Sequence, residues 1–225
     1  MGLGILPPPG VAPTPAPLVQ DFTSSGTWTK PDGAKYVRIE CIGGGGSGYL
    51  ASSSGACGGG IGGQYGTLML DASLLTATVA VTVGAGGTHN IRGSSGGTGG
   101  TTSFGAYVSA PGGNGATTSI DPSGIQGATA GVGDGNTSPK GRDSRYGAGS
   151  GGWISGSNNP AAAGSGGTES AGYGLLKAGD GGTANAATQA AANGATPGGG
   201  GGSGNNTATY SGDGAPGAVR ITTYF

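Results

Sequence analysis

Apolar and polar positions alternate in period two over short stretches near the two ends of this chain, and over almost nothing between them. Tyr36–Ile42 places Val37, Ile39 and Cys41 on one face and Tyr36, Arg38, Glu40 and Ile42 on the other, the half-buried strand pattern. Residues 76–83 repeat it with Ala77, Val79, Val81 and Val83, and the last nine residues, GAVRITTYF, repeat it with Val219, Ile221 and Thr223. Shorter strands are expected over 19–22, over 27–30 around Trp28, and over 66–70. TSSG and PDGA supply the first turns, since Ser, Pro, Asp and Gly each favour a turn conformation. The final strand is expected to pair beside Tyr36–Ile42, because neither segment has a sequence-local partner. The chain therefore leaves a sheet, travels through residues 84–216, and returns to close it.

That excursion is written in glycine. Glycine-dense runs recur at 93–100, 110–115, 147–152, 164–167, 179–182 and 198–204, and the chain holds 58 glycines in 225 residues, where ~7% is ordinary. Ten Leu, nine Ile, nine Val and three Phe are too few for a side-chain core of this length. Disorder is a poor alternative, because it goes with high net charge and this chain has a net charge of −1 with 8% charged residues. Collagen demands glycine at every third position, and GGGGG at 198–202 and the stretch 65–83 break that period. Polyglycine-II-like helices fit. They have three residues per turn and no internal hydrogen bonds, so their backbone groups must be satisfied by neighbouring helices. Chains without Cβ approach closely enough to do this. The expected fold is mainly β and irregular: a small antiparallel β-domain closed by N- and C-terminal strands, carrying a glycine-rich polyglycine-II bundle, with little or no α-helix. The expected division is a Pro-rich attachment segment over 1–19, a β-domain over 20–83 completed by 217–225, and the bundle with variable loops over 84–216.

One glycine run resembles a nucleotide fingerprint. Gly43, Gly45 and Gly48 in KYVRIECIGGGGSGYL satisfy G-x-G-x-x-G, and Asp71 ends a later apolar run. A dinucleotide site needs a helix after the third glycine. Gly55, Gly58, Gly59, Gly60, Gly62 and Gly63 follow instead, and six interior glycines cost a helix about 5–6 kcal/mol relative to alanine. The nucleotide reading fails.

Near-neutral charge argues against nucleic-acid or membrane-surface partners, which need a basic excess. With no run of 18 apolar residues in the sequence, no membrane insertion is expected. MGLGILPPPG lacks the basic region and apolar run of a secretory signal, so synthesis in a cytoplasm without a signal peptide is expected. Cys41 and Cys57 are expected as free thiols in that compartment, though a disulfide between them is compatible with the sequence. Residues 7–17, PPPGVAPTPAP, form an extended spacer, preceded by an apolar hook of Leu3, Ile5 and Leu6 that is expected to dock on another subunit.

Catalytic chemistry is absent from this reading. His89 is the only histidine, so neither a histidine metal site nor a catalytic triad is expected, and it reads as a polar loop residue. Asp71, Asp121, Asp134, Asp143, Glu169, Asp180 and Asp213 are scattered among turn residues, where Asp is favoured on backbone grounds. The Ala-rich stretch 185–194 reads as either two or three helical turns or a loop. No enzyme activity, cofactor or metal is expected. SPKGRDSRYGAGSGGW at 138–153 concentrates Lys140, Arg142, Arg145, Tyr146 and Trp153, and arginine and aromatics dominate binding hot spots. These residues, with Tyr173 nearby, are the candidate receptor-binding set; the bland alternative is that the aromatics cap the bundle.

Three blocks carry a resemblance. DFTSSGTWTKPDGAKYVRIECIGGGGSG at 21–48, VAVTVGAGGTHNIRGSSGGTGGTTSFG at 79–105 and GDGAPGAVRITTYF at 212–225 resemble, in order, the glycine-rich domain of bacteriophage tail-fibre and tail-tip adhesins. The resemblance implies a virion protein whose polyglycine II helices are sandwiched together and whose connecting loops meet a bacterial receptor, either a glycan or an outer-membrane protein. It does not extend to residues 1–19 or to the identity of the receptor. The implied partners are other fibre, tail or baseplate subunits, reached through Leu3, Ile5 and Leu6, together with that receptor; a homo-oligomer is compatible with this. The alternative reading is a purely structural virion component (fibre, decoration or tail-tip fitting) with no receptor of its own. Ice binding would need a regular tripeptide repeat and a Thr-rich plane, and the irregular loops argue against both.

Overall fold

A computed structural model describes residues 15–52, 57–89, 91–117, 149, 151, 178–185, 190–204 and 208–225. Among these residues eight strands form two antiparallel four-stranded sheets. They are β1 (Leu18–Phe22), β2 (Gly26–Thr29), β3 (Tyr36–Ile42), β4 (Tyr65–Asp71), β5 (Thr78–Thr82), β6 (Thr102–Phe104), β7 (Val108–Ala110) and β8 (Ala218–Tyr224). The first sheet runs β1-β8-β3-β4 and the second β2-β5-β6-β7. The C-terminal strand β8 lies beside β3, as its alternation implies, with Ile221 opposite Ile39. Asp21 and Arg220, opposed in the β1–β8 register, join through two bonds of 2.7 Å. That pairing holds the Asp21 carboxyl below its usual range and fixes the edge strand.

The alternating positions build the side-chain core. Val37, Ile39 and Cys41 from β3 and Val219 and Ile221 from β8 meet Trp28, Val79, Val81 and Phe104 from the second sheet. Trp28 and Phe104 touch edge to face at 5.4 Å, and the indole Nε1 donates to Gln20 Oε1 at 3.0 Å, so this large ring is buried with its one polar atom satisfied. Strands β6 and β7 fall within 84–216, the stretch expected to hold the glycine-rich bundle and its variable loops. At three residues each they are too short to show an alternation.

The strands run directly into a second core made of backbone. Residues 43–51 continue from β3 and 57–64 lead into β4, while 83–89 leave β5, 95–101 enter β6, 111–117 leave β7 and 208–217 enter β8. Their hydrogen bonds run between segments and change partner with a period of three. Gly43, Gly46 and Tyr49 donate to Gln64, Ile61 and Gly58; Gly44 and Ser47 donate to Gly100 and Gly97; Gly45 and Gly48 donate to Ala215 and Gly212. In return the carbonyls of Gly44 and Ser47 accept from Gly113 and Ala116, that of Gly45 from Gly87, and those of Gly46 and Tyr49 from Gly201 and Gly204. Segment 43–51 is thus the centre of a hexagon whose corners are 57–64, 111–117, 95–101, 83–89, 208–217 and 198–204, and adjacent corners bond one another. Segment 198–204 is the centre of a second hexagon, fused to the first and completed by 178–185, 190–195 and the 149–151 region.

The two centres share a sequence, GGGGSG at 43–48 and 199–204. A Cβ at Gly45 would meet Gly199 O and one at Gly201 would meet Gly212 O, well inside the 3.0 Å that real Cβ atoms respect. The serines fit for a specific reason at Ser47. Its hydroxyl donates to Thr88 O at 2.7 Å and accepts from Gly97 N at 2.7 Å, standing between two backbones whose direct bond is 3.3 Å. The nucleotide reading of Gly43, Gly45 and Gly48 fails here for the same reason: these residues pack against backbone, and the described residues of 49–64 contain no helix.

Replacing Gly45 or Gly201 by alanine is expected to cost more than ~3 kcal/mol, the upper end for overpacking, because the collision is with carbonyl groups that cannot rotate away. Gly58→Ala places its Cβ at an ordinary 3.4 Å from Ala116 Cβ and should leave stability within about 1 kcal/mol. Chemical denaturation of the three variants measures the contrast.

Cys41 lies in the core between the sheets and Cys57 in a separate cluster with Tyr49, Ala51 and Ala116. Both are free thiols. Burial raises Cys41 to about 12 and Cys57 to about 11 from 9.0, and burial with the Glu40 hydrogen bond raises Tyr65 to about 12 from 10.0. Raised acids are deprotonated first in the unfolded chain, so their contribution is intact below the unfolded value and lost as pH climbs through the folded one. Denaturant midpoints should fall as pH rises from 9 toward 12. The fall should be shallower in Cys57→Ala, and neither thiol should react with an alkylating reagent at pH 8 before unfolding.

Candidate functional site at the far rim of the bundle

The strands feed one end of the bundle, where the Thr196–Gly198 turn between two segments also lies, and the turn over 92–94 lies at the other. Ala51 and Cys57, His89 and Ser95, Asn185 and Ala190, Gly204 and Ala208, and Thr117 lie toward that far end. The described part of this far end is knitted together. Gly93 N donates to Leu50 O at 2.8 Å, Ser94 N to Ile91 O at 3.1 Å, and Arg92 Nη2 to Ala208 O at 3.2 Å. Ile91, 81% exposed, stands at the tip of the 89–95 turn.

Segments 83–89, 208–217 and 190–195 lie side by side and form one flat face. Because the segments repeat every three residues, Tyr210, Asp213 and Pro216 share the outward row of the middle segment, and none of them is buried. Near the far rim this row meets His89 and Asn193. Asp213 Oδ1 accepts from the backbone N–H of His89 at 2.6 Å and lies 2.7 Å from His89 Nδ1. Asp213 N donates to Asn193 Oδ1 at 2.8 Å, which fixes the orientation of that amide. The His89 ring stands 4.9 Å from that of Tyr210, tilted 53°, and Tyr210 is 51% exposed. A carboxylate only accepts, so His89 Nδ1 carries the proton toward Asp213, and in the neutral ring Nε2 remains as an acceptor.

Two other places hold polar chemistry. On the first sheet Glu40, 1% exposed, accepts from Tyr65 Oη at 2.7 Å and has Arg38 Nε at 4.0 Å, an internal network closed to ligands by burial. At the sheet end away from the bundle, Lys30, Ala34, Lys35, Tyr36, Asp71, Ala72 and Ser73 line a cleft of about 420 Å³. Lys30 Nζ there is committed to Ala72 O and Leu75 O at 3.2 and 2.9 Å. Among the described residues no three His, Cys, Asp or Glu side chains gather as a metal site, and no helix is long and apolar enough to cross a membrane.

The sequence-predicted receptor residues Lys140, Arg142, Arg145, Tyr146, Trp153 and Tyr173 lie outside the described residues, as do Leu3, Ile5 and Leu6. The sequence reading placed His89 in a loop and Asp213 among turn residues; the fold brings them together across 124 positions. Tyr210 and Asn193 were not singled out. The signal that could have found them is the outward row of every third residue, which shows only once the edges of the segment are known. Ala191–Gly194, part of the stretch that could have been helical, is a bundle segment.

No curated protein matches this sequence. The sequence profile of the glycine-rich domain matches residues 21–224, which takes in both sheets except the first three residues of β1, and every described bundle segment. The chain belongs to the glycine-rich domain family.

Proposed function

We propose that this chain is a bacteriophage tail-fibre or tail-tip protein that attaches the particle to its host, and that its glycine segments are polyglycine II helices. The observation that carries the proposal is the polarity of the bundle. One end is fused to the sheets, and the opposite end carries the most exposed large apolar side chain among those described, Ile91, beside the turn over 92–94. A chain this poor in large apolar residues displays one at the tip of a rigid stalk. Exposed apolar side chains on such a surface mark interaction sites when they cluster, and Tyr210 lies on the same rim. The ordered resemblance of three sequence blocks to phage adhesin domains points the same way. The receptor set Lys140, Arg142, Arg145, Tyr146, Trp153 and Tyr173 belongs to this proposal through its composition. Attachment to the virion through Leu3, Ile5 and Leu6 draws support from the sheet end, where β1, directly after the proline-rich spacer, exposes Leu18 and Val19. The three-residue change of bonding partner is what a helix of three residues per turn requires.

Whole-particle adsorption tests the function. Arg145→Ala and Tyr146→Ala should each reduce adsorption by more than about tenfold, as hot-spot residues do, with unchanged thermal melting. Normal adsorption by both would remove this stretch from the receptor site. A chain that binds no cells and does not compete with phage would leave the structural-component reading. Measured backbone dihedrals near φ −75° and ψ +145° over 43–51 and 198–204 are the expected signature of the helices, and β or α values would refute them.

A further inference from the structure

We infer that His89, Asn193, Tyr210 and Asp213 form a saccharide-binding site on the rim of the bundle, which deepens the host-attachment reading and rests on it. Four observations converge. Tyr210 offers a half-exposed ring, and the face of an aromatic ring is apolar enough to stack on the C–H face of a sugar. Beside it, Asn193 spends Oδ1 on the Asp213 amide, so its two Nδ2 donors take no part in holding the site. Asp213 spends Oδ1 on His89, which leaves Oδ2 as an acceptor. His89 Nε2 is a second acceptor in the neutral ring.

A donor pair and two acceptors beside an aromatic face complement neighbouring hydroxyls, each of which both donates and accepts. A phosphate or other anion would want donors alone, and would meet the Asp213 carboxylate. A protein partner would want a wider apolar surface than one ring. The polar atoms are held by backbone bonds of the bundle, so little side-chain freedom is lost when a ligand arrives. The site is shallow and sits on a flat face, which suits a terminal or branching sugar of a surface polysaccharide.

The full-length protein is titrated with a panel of neutral hexoses, N-acetylhexosamines and purified bacterial O-polysaccharides. Binding is followed by calorimetry and by the NMR signals of the Asn193 side-chain amide and the His89 ring. The expected result is binding that shifts both signals and weakens at least about tenfold in Tyr210→Ala and in Asn193→Asp. The second variant keeps an oxygen acceptor for the Asp213 amide, removes the Nδ2 donors and adds a negative charge. Tyr210→Phe should bind nearly as the native protein does, because it keeps the ring, and thermal melting of each variant reports folding. Saccharide binding with neither signal shifted, or with equal affinity in both variants, overturns this site and leaves host attachment standing. Cell binding without any saccharide binding overturns the saccharide and keeps the attachment reading. Absence of both cell and saccharide binding overturns the two together.

Discussion

A buried peptide group must find a hydrogen-bond partner, and half of this protein is organised around doing so without side chains. In the sheets the requirement is met by ladders, and the interior is filled by Trp28, Phe104 and the alternating aliphatic residues. Among the described residues of the bundle buried side chains are few, with a small cluster of Tyr49, Ala51, Cys57 and Ala116 toward its far end. Gly45 donates to Ala215 and accepts from Gly87, while its missing Cβ leaves room for Gly199 O. All of its directions are used by neighbouring backbone. Glycine costs roughly 0.5–1 kcal/mol more than alanine in conformational entropy, and a net hydrogen bond returns roughly 0.5–1.5 kcal/mol. The exchange balances only where nearly every group is bonded, which explains why the two densest glycine runs occupy the two hexagon centres.

The constraint also explains why the sheets exist. A glycine segment of this bundle bonds only to its neighbours, so nothing local defines where it begins or what lies beside it. Strand pairing supplies that definition. β3 delivers 43–51, β8 receives 208–217, and the β3–β8 register aligns the two before Gly45 meets Ala215. The same logic holds for β5 and β6, which flank 83–101 and set Ala85 against Gly100. The side-chain core thus acts as a clamp that sets the register of the backbone core. Ser47 shows how narrow the tolerance is beyond that clamp, since its hydroxyl is accepted only by entering the hydrogen-bond chain between Gly97 and Thr88.

Legibility in the sequence follows the same division. Strands with a side-chain period were readable: Tyr36–Ile42 matches to the residue, and Val219, Ile221 and Thr223 are all fully buried. The short strands Thr102–Phe104 and Val108–Ala110 were not, because three residues hold no period. Composition showed that the core could not be made of side chains. Which glycine run sits at a centre, and which at a corner, was hidden, because glycine carries no facing information. Runs 43–48 and 57–63 were grouped with the β-domain by position along the chain, although their bonds run to 95–101, 111–117, 198–204 and 208–217. His89 and Asp213 were each visible as residues and invisible as a pair, since their meeting depends on which two segments become neighbours.

A backbone core also restricts where chemistry can be placed. At the glycine positions of either hexagon centre an added Cβ strikes a carbonyl, as Gly44, Gly46, Gly200 and Gly202 show, and the buried side chains admitted within the two GGGGSG runs are the small ones of Ser47 and Ser203. Large side chains stand at outward positions of the corner segments, as Tyr210, Asp213 and Pro216 do, while inward rows take glycine or small residues such as Ser211 and Ala215. In an ordinary domain a functional residue can be drawn from the core by local repacking. Here that route is closed, so a binding surface has to be assembled from the outward rows of adjacent segments and from the turns that join them. Tyr210 and Asp213 come from one row, Asn193 from the next segment, and His89 from the end of a third. The rigidity that forbids side chains within holds these four in place without a supporting shell of their own. The bundle can therefore exchange its surface chemistry freely while its interior stays glycine.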